Sequence, residues 1–261
     1  MKEKLNLFLK TIGASFLILI IFGCGTNHDT LTKKRREGKV VIKVASFNVH
    51  ALPTIDAKDR MKAIAEYIKD YDIIGIQEAW TEKSRELIAE HFPYKAYGNK
   101  SRSGLKFGDG LMILSKHPIL AAYNTTYEGE AGAEKWWAKK GAMVASIKIN
   151  GFLLNFYTTH LQAQKGKKQS RIRKSQLAQF LMFIGHLDIP KIVTGDFNID
   201  SATGMVPTVL NMRDIMHSSD HHIDYILYQE NSDVTISHQV QHPSNLSDHP
   251  LIHGELTLKR K

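Results

Sequence analysis

A chain of 261 residues, 43% hydrophobic and 23% charged, is long enough to bury a substantial core within a single domain. Its one cysteine, Cys24, excludes an internal disulfide, so the fold rests on packing alone. The formal charge of +9 suits an anionic partner without choosing among phospholipid surfaces, nucleic acids and phosphorylated metabolites.

At the N-terminus, Lys2, Lys4 and Lys10 precede an apolar run from Ile12 to Phe22, which reads as a secretion signal and is short for a membrane-spanning helix. Cys24 follows Ile21-Phe22-Gly23, and this segment resembles the lipobox at which bacterial lipoproteins are cleaved and acylated on cysteine. Phe22 departs from the usual small residue there. Residues 1–23 are therefore expected to be a lipoprotein signal peptide with lipidation at Cys24, and the alternative is an uncleaved signal anchor. Residues 24–38 are polar, end in Lys33-Lys34-Arg35-Arg36 and read as a tether. Both readings put the remaining domain, 39–261, outside the cytoplasm, and the first anchors it by lipid to a bacterial membrane.

From Val40 to Phe47 the pattern is strand-like, and Met61, Ile64, Ala65 and Ile68 then fall at the spacing of an amphipathic helix. Asp72 to Gln77 predicts a second strand with Glu78 at its end, and Thr81 is a good cap for a helix reaching Glu90. Gly110–Ser115, Ala142–Ile149 and Phe152–Thr158 predict strands, the last two joined by a tight turn at Asn150-Gly151. Residues 169–186 carry Leu177, Phe180, Leu181 and Ile184 on one helical stripe. Ile189–Thr194, Ile223–Tyr228, Val234–His238 and Leu251–Leu256 complete the strands. Strands outnumber helices without a simple parallel alternation, which predicts a mixed α/β layered domain.

Polar groups recur at strand ends: Asn48, Glu78, His160, Asp196, Asn198, Asp224, Asp248 and His249. Strand ends on one rim of a sheet can converge on one pocket. Each residue alone reads as an ordinary turn or solvated side chain, so the case rests on the set. Carboxylate and amide oxygens without cysteine suit a hard divalent ion such as magnesium rather than zinc, and histidines beside them suit proton transfer near neutral pH. The adjacent pair His221-His222 lacks metal-pair spacing and reads as a surface loop.

Ser46-Phe47-Asn48, Gln77-Glu78, Thr159-His160-Leu161, Gly195-Asp196-Phe197-Asn198, Ile223-Asp224-Tyr225-Ile226 and Ser247-Asp248-His249 together resemble, in order, the motifs of the endonuclease/exonuclease/phosphatase superfamily. The resemblance runs from about residue 40 to the C-terminus. It implies an α/β four-layer sandwich, two mixed β-sheets packed face to face with helices outside. It also implies a phosphoric diester hydrolase using Mg2+ or Mn2+, with Glu78 as principal metal ligand and Asn48 and Asp248 beside it. His249 would be the general base oriented by Asp224. Asp196 and Asn198 would position the nucleophile and phosphoryl oxygens, and His160 would bind phosphate and assist the leaving group.

Three segments are similar to neutral sphingomyelinases rather than nucleases: Gln77-Glu78-Ala79-Trp80, the run from Gly110 to Ile119, and Thr159-His160-Leu161-Gln162-Ala163. Arg173, Gln176 and Leu177-Ala178-Gln179-Phe180 follow the same resemblance, as does Lys139-Lys140-Gly141, whose lysines by themselves read as solvated surface. The chain between Asp196 and Asp248 is short, with no counterpart of the aromatic membrane-inserting hairpin of haemolytic bacterial sphingomyelinases. Trp136-Trp137 is a candidate interfacial anchor, with partial burial in the core as the alternative. The resemblance implies a monomeric enzyme that cleaves a phospholipid or other phosphodiester to release a phosphorylated headgroup. A secreted metal-dependent nuclease acting on nucleic acid is the alternative. A binding module that has lost catalysis would lack a motif residue, and none is lost.

Overall fold

The computed structural model describes residues 39–52, 58–100, 107–132, 136, 138–185, 189–216, 221–229, 234–242 and 245–259. The expected leader and tether, Cys24 included, lie outside these, as does Trp137. In chain order the elements are β1 (Lys39–Ala51), α1 (Lys58–Ile68), β2 (Ile73–Ala79), α2 (Glu82–Ile88), β3 (Tyr94–Tyr97), β4 (Met112–Ser115), β5 (Ile119–Thr126), β6 (Gly141–Ile149) and β7 (Phe152–His160). There follow α3 (Lys167–Ile184), β8 (Lys191–Asp196), a 3-10 turn (Ser201–Thr203), α4 (Met205–Leu210), β9 (Arg213–Asp214), β10 (Asp224–Tyr228), β11 (Val234–His242) and β12 (Leu251–Lys259). Among the described residues no helix is long and apolar enough to cross a membrane.

The strands form two six-stranded sheets, ordered β11-β12-β1-β2-β4-β3 and β5-β6-β7-β8-β10-β9. In each sheet one inner pair is parallel, β1 with β2 and β7 with β8, and the other pairs are antiparallel. The inner strands are apolar on both faces because both are covered, as expected where a sheet lies inside a layered fold. On β1, Ile42 and Val44 enter the core between the sheets, while Ala45, Phe47 and Val49 face Met61, Ile64 and Ile68 of α1. On β7, Leu154 and Phe156 join the same inter-sheet core, while Tyr157 packs outward with Leu177, Phe180 and Ile184 of α3. Three apolar layers therefore hold four layers of structure together, helix on sheet on sheet on helix, as the sequence resemblance implies.

Local signals explain the element ends. Thr81 Oγ1 accepts from the backbone N–H of Ser84 at 3.0 Å and starts α2. Asn150 and Gly151, at φ 47° and 88°, make the left-handed turn between β6 and β7. Two expectations need correction. Leu181 is 40% exposed, so the buried stripe of α3 is Gln176, Leu177, Phe180 and Ile184. The strands β3 and β5 and the short α4 escape the sequence reading altogether.

Toward one rim the inter-sheet core changes character. Past Ile42, Val44 and Ile73 the facing residues become Ser46, Gly75, Gln77, Thr158 and Thr194, all buried. Gln77 Nε2 donates across the sheets to Thr158 Oγ1 at 2.8 Å and to Ser46 Oγ at 3.3 Å. Gly75 lets the sheets approach here, since a Cβ at this position would lie 2.3 Å from Thr194 Oγ1. Above this polar tier lie the candidate functional residues.

Candidate active site

The carboxyl ends of the two parallel pairs open on the same rim: Asn48 from β1, Glu78 from β2, His160 from β7 and Asp196 from β8. Antiparallel β10 brings Asp224 opposite Asp196, and His160 is the register partner of Asp196 on its other side. Asn48 joins the sheets, its Nδ2 donating to Glu78 Oε1 at 3.2 Å and Asp196 Oδ2 at 3.1 Å. Its Oδ1 accepts from the backbone N–H of His50 at 3.1 Å. Asn48 thus holds two carboxylates together as a donor, and service as an oxygen ligand would require its amide to turn.

His160 Nε2 lies 3.4 Å from Asp196 Oδ2 and 3.7 Å from Glu78 Oε1. His249 Nδ1 is 2.8 Å from Asp224 Oδ2, a pairing that directs Nε2 toward Asp196 Oδ2, at 3.8 Å, and Asn48. The loop carrying His249 is fixed to β1: Ser247 Oγ donates to the carbonyl of Asn48 at 2.6 Å and accepts from His249 N at 3.2 Å. Arg60 of α1 closes the same joint by donating to the carbonyls of Val49, His50 and Leu246. Asn198 N donates to Asp196 Oδ1 at 2.8 Å, while its Nδ2 donates to the carbonyl of Leu161. Glu78 and Asn198 sit at positive φ, 61° and 51°, so the backbone is strained at two site residues.

The electrostatics follow from crowding charge in a closed space. Burial, reinforced by the charge of Asp224, pushes the Asp196 carboxyl up to about 7 against the opposing pull of His249 and Lys140. Burial and the neighbouring cations Lys140 and His249 hold His160 well below the ordinary imidazole range, so it is neutral. Burial lowers His249 too, but the hydrogen bond and charge of Asp224, with Asp196 and Asp248, outweigh it and raise it to about 9.

Lys140 is a site residue rather than the solvated surface lysine that its sequence context predicts. It is 1% exposed, and its Nζ lies 2.8 Å from His160 Nε2, where an ammonium can only donate. The register that sets Gly141 of β6 opposite His160 turns Lys140 inward, while Lys139 remains half-buried beside Glu130. His222 is a second correction: it is buried, with Nε2 2.7 Å from Asp214 Oδ2, whereas His221 is exposed.

Two groups of side chains offer donor atoms that all lie within 4.8 Å of one another: Glu78, His160 and Asp196, and then Asp196, Asp224 and His249. Asp224 Oδ1 is buried and has no hydrogen-bond partner among the described residues. Carboxylate oxygens pressed together, one with its pKa raised by burial and then by a neighbouring carboxylate, make a site that a hard divalent cation would relieve, so the donor set fits magnesium or manganese. The structure does not bring Asp248 into either group. Its exposed carboxylate lies 3.0 Å from His50 Nδ1 at the edge of the site.

Fold and site together define a four-layer α/β protein with a histidine–carboxylate centre at one rim of its paired sheets. The model of the Endonuclease/Exonuclease/phosphatase family matches residues 45–249, and the chain belongs to that family. Sphingomyelinase C 2 of Leptospira interrogans is 28% identical over 205 residues, covering 66% of this chain and 33% of that protein. Among solved structures, SmcL superposes with a TM-score of 0.69 at 21% identity over 82% of this chain and 98% of its own. A mutant beta toxin of Staphylococcus aureus, solved with bound magnesium ions, gives 0.68 at 19% identity over 82% of this chain and 99% of its own. The chain spans between 33% and 41% of the length of the curated relatives it matches.

Proposed function

We propose that the protein is a metal-dependent phosphodiesterase that hydrolyses a phosphosphingolipid by water attack and releases a phosphorylated headgroup, in the manner of a sphingomyelinase-type phospholipase C. The observation that carries this reading is the pairing of His249 with Asp224 over buried Asp196, Asn48 and His160 and the partly buried Glu78. Magnesium or manganese, held by Glu78 with Asp196 and Asn48 beside it, would supply positive charge against the phosphoryl oxygens. In its unprotonated form His249 Nε2 would accept the proton of the attacking water, and Asp224 holds Nδ1 and would stabilise the imidazolium that results. Lys140 and Asn198 face the phosphate from the other sheet. His160, neutral and accepting from Lys140 at Nε2, holds that ammonium beside the centre rather than adding charge of its own. No covalent nucleophile is required.

The lipid rather than nucleic-acid substrate is supported by the sphingomyelinase names of the relatives and by the segments around Trp80, Lys116-His117-Pro118 and Gln162-Ala163. The domain is proposed to act outside the cytoplasm, tethered through Cys24. Purified protein is expected to release phosphocholine from detergent-dispersed sphingomyelin with magnesium and to lose that activity in excess chelator. His249→Ala is expected to lower the rate about a hundredfold or more while the protein stays folded. Full turnover in chelator, or a wild-type rate from folded His249→Ala, would overturn the mechanism.

A further inference from the structure

His249 lies on a loop rather than on a strand. The pairing of β12 with β1 ends at Ile252 opposite Ser46, and beyond that point the loop 246–249 takes the place of a strand beside β1. On its other side β1 leaves regular pairing as well: its register with β2 shifts between Asn48 and Ala51, and His50 stands at φ 44°. The backbone after Asn48 and the backbone before His249 therefore carry carbonyls outside a regular ladder, and such groups call for donors from elsewhere.

Arg60 supplies them. Its Nη1 donates to the carbonyls of Val49 at 2.9 Å and Leu246 at 2.7 Å, and its Nη2 to that of His50 at 3.0 Å. One guanidinium thus grips both segments, and among the described residues no carboxylate pairs with it. The side chain starts from a fixed base, because the next residue, Met61, is 1% exposed and α1 packs through Met61, Ile64 and Ile68 on Phe47 and Val49. A planar fork suits this place, since it meets several carbonyls at set angles, whereas an ammonium is a point donor on a flexible stem.

The loop in turn carries the base. His249 Nδ1 meets Asp224 of the other sheet at 2.8 Å, while Nε2 lies 3.5 Å from Asn48 Nδ2. Asp224 orients the ring from one sheet, and the joint made by Arg60 and Ser247 ties the loop to the other, the sheet of Asn48 and Glu78. We infer that Arg60 is a positioning residue: by locking the loop 246–249 to the end of β1, it sets where His249 Nε2 stands relative to the water it deprotonates. The inference rests on the phosphodiesterase reading above and adds the residue that holds its base in place. Arg60 touches no reacting atom, so its loss slows the chemical step through His249 and leaves substrate binding as it is.

The test is a double-mutant cycle in the full chain. Arg60→Lys, which keeps the charge and removes the fork, is compared with wild type, His249→Ala and the double variant Arg60→Lys/His249→Ala on bis(p-nitrophenyl) phosphate with magnesium. The single Arg60→Lys change is expected to lower kcat about tenfold with KM unchanged, as a small misplacement of a catalytic group does. In the His249→Ala background the same change should lower kcat no further, because the group it positions is gone. Equal losses in both backgrounds would mark a merely structural role and overturn the inference, as would a wild-type kcat in Arg60→Lys. Hydrogen exchange decides the joint without turnover. The amide of His249, which donates to Ser247 Oγ, should exchange about tenfold faster in Arg60→Lys, while the amides of β10 keep their wild-type protection. Unchanged exchange at His249 refutes the joint. Inactivity of wild type on this substrate and on dispersed sphingomyelin would overturn the phosphodiesterase reading instead, and the exchange measurement then decides the role of Arg60 in the loop by itself.

Discussion

His249 can serve as a base only when Nε2 is unprotonated, yet the carboxylates around it hold the proton on. Burial works against the imidazolium, but Asp224 at 2.8 Å, with Asp196 and Asp248, raises the folded value to about 9 from an ordinary 6.5. A basic group whose pKa is higher folded than unfolded stabilises the fold fully below its unfolded value, and the contribution is lost as pH rises through the folded one. In chelator, the thermal midpoint is therefore expected to fall as pH rises from 6.5 to about 9, and Asp224→Asn should remove most of that slope. A midpoint flat or rising over this window would contradict the pairing. The side chains that make this centre are legible because each lies in a recognisable motif at or near one terminus of a strand. Lys140 is not, since Lys139 and Lys140 are chemically identical and only the pairing of Gly141 with His160 decides which one turns inward. His222 is hidden from the sequence for a related reason: its partner, Asp214, lies on a two-residue strand with no signal of its own.

At the scale of elements, the inner strands and the helices α1 and α3 can be read from their apolar patterns, because burial on defined faces imprints them on the sequence, and α2 from its Thr81 cap. The edge strand β5 cannot: Ala121-Ala122-Tyr123-Asn124-Thr125-Thr126 is mostly exposed, with Leu120 at 59% and Tyr123 at 66%, so neither face is selected to be apolar. The strand β1 runs beyond the end at Phe47 that its apolar pattern predicts, continuing past the Asn48 motif through a register shift to Ala51. Between the sheets, Gly75 sets the spacing at the tier that supports the centre. Gly75→Ala would place a methyl 2.3 Å from Thr194 Oγ1 and 2.9 Å from Thr158 Oγ1, and it would disturb the bond from Gln77 to Thr158. The expected cost is about 1–3 kcal/mol in urea unfolding, accompanied by loss of activity as Asn48 and Asp196 separate. A neutral Gly75→Ala would mean that the sheets are not in close contact at this tier.

For the whole molecule, the doubled arrangement of an inner parallel pair in each sheet explains why residues as distant in sequence as Asn48 and Asp196 meet: both pairs end on the same rim, and the packed sheets bring those ends face to face. Cys24→Ser is expected to leave the protein soluble or unprocessed, whereas mass spectrometry of wild type should find an acylated Cys24 at the mature N-terminus; an intact leader without lipid would contradict the anchor. Substrate choice is also a property of the whole surface, because the chemistry at His249 and Asp196 serves lipid and nucleic-acid phosphodiesters alike. The central claim is met most directly by assaying one magnesium-loaded preparation side by side on detergent-dispersed sphingomyelin and on supercoiled DNA. Phosphocholine release outpacing DNA nicking is the expected result, and robust magnesium-dependent nicking with no headgroup release would contradict it.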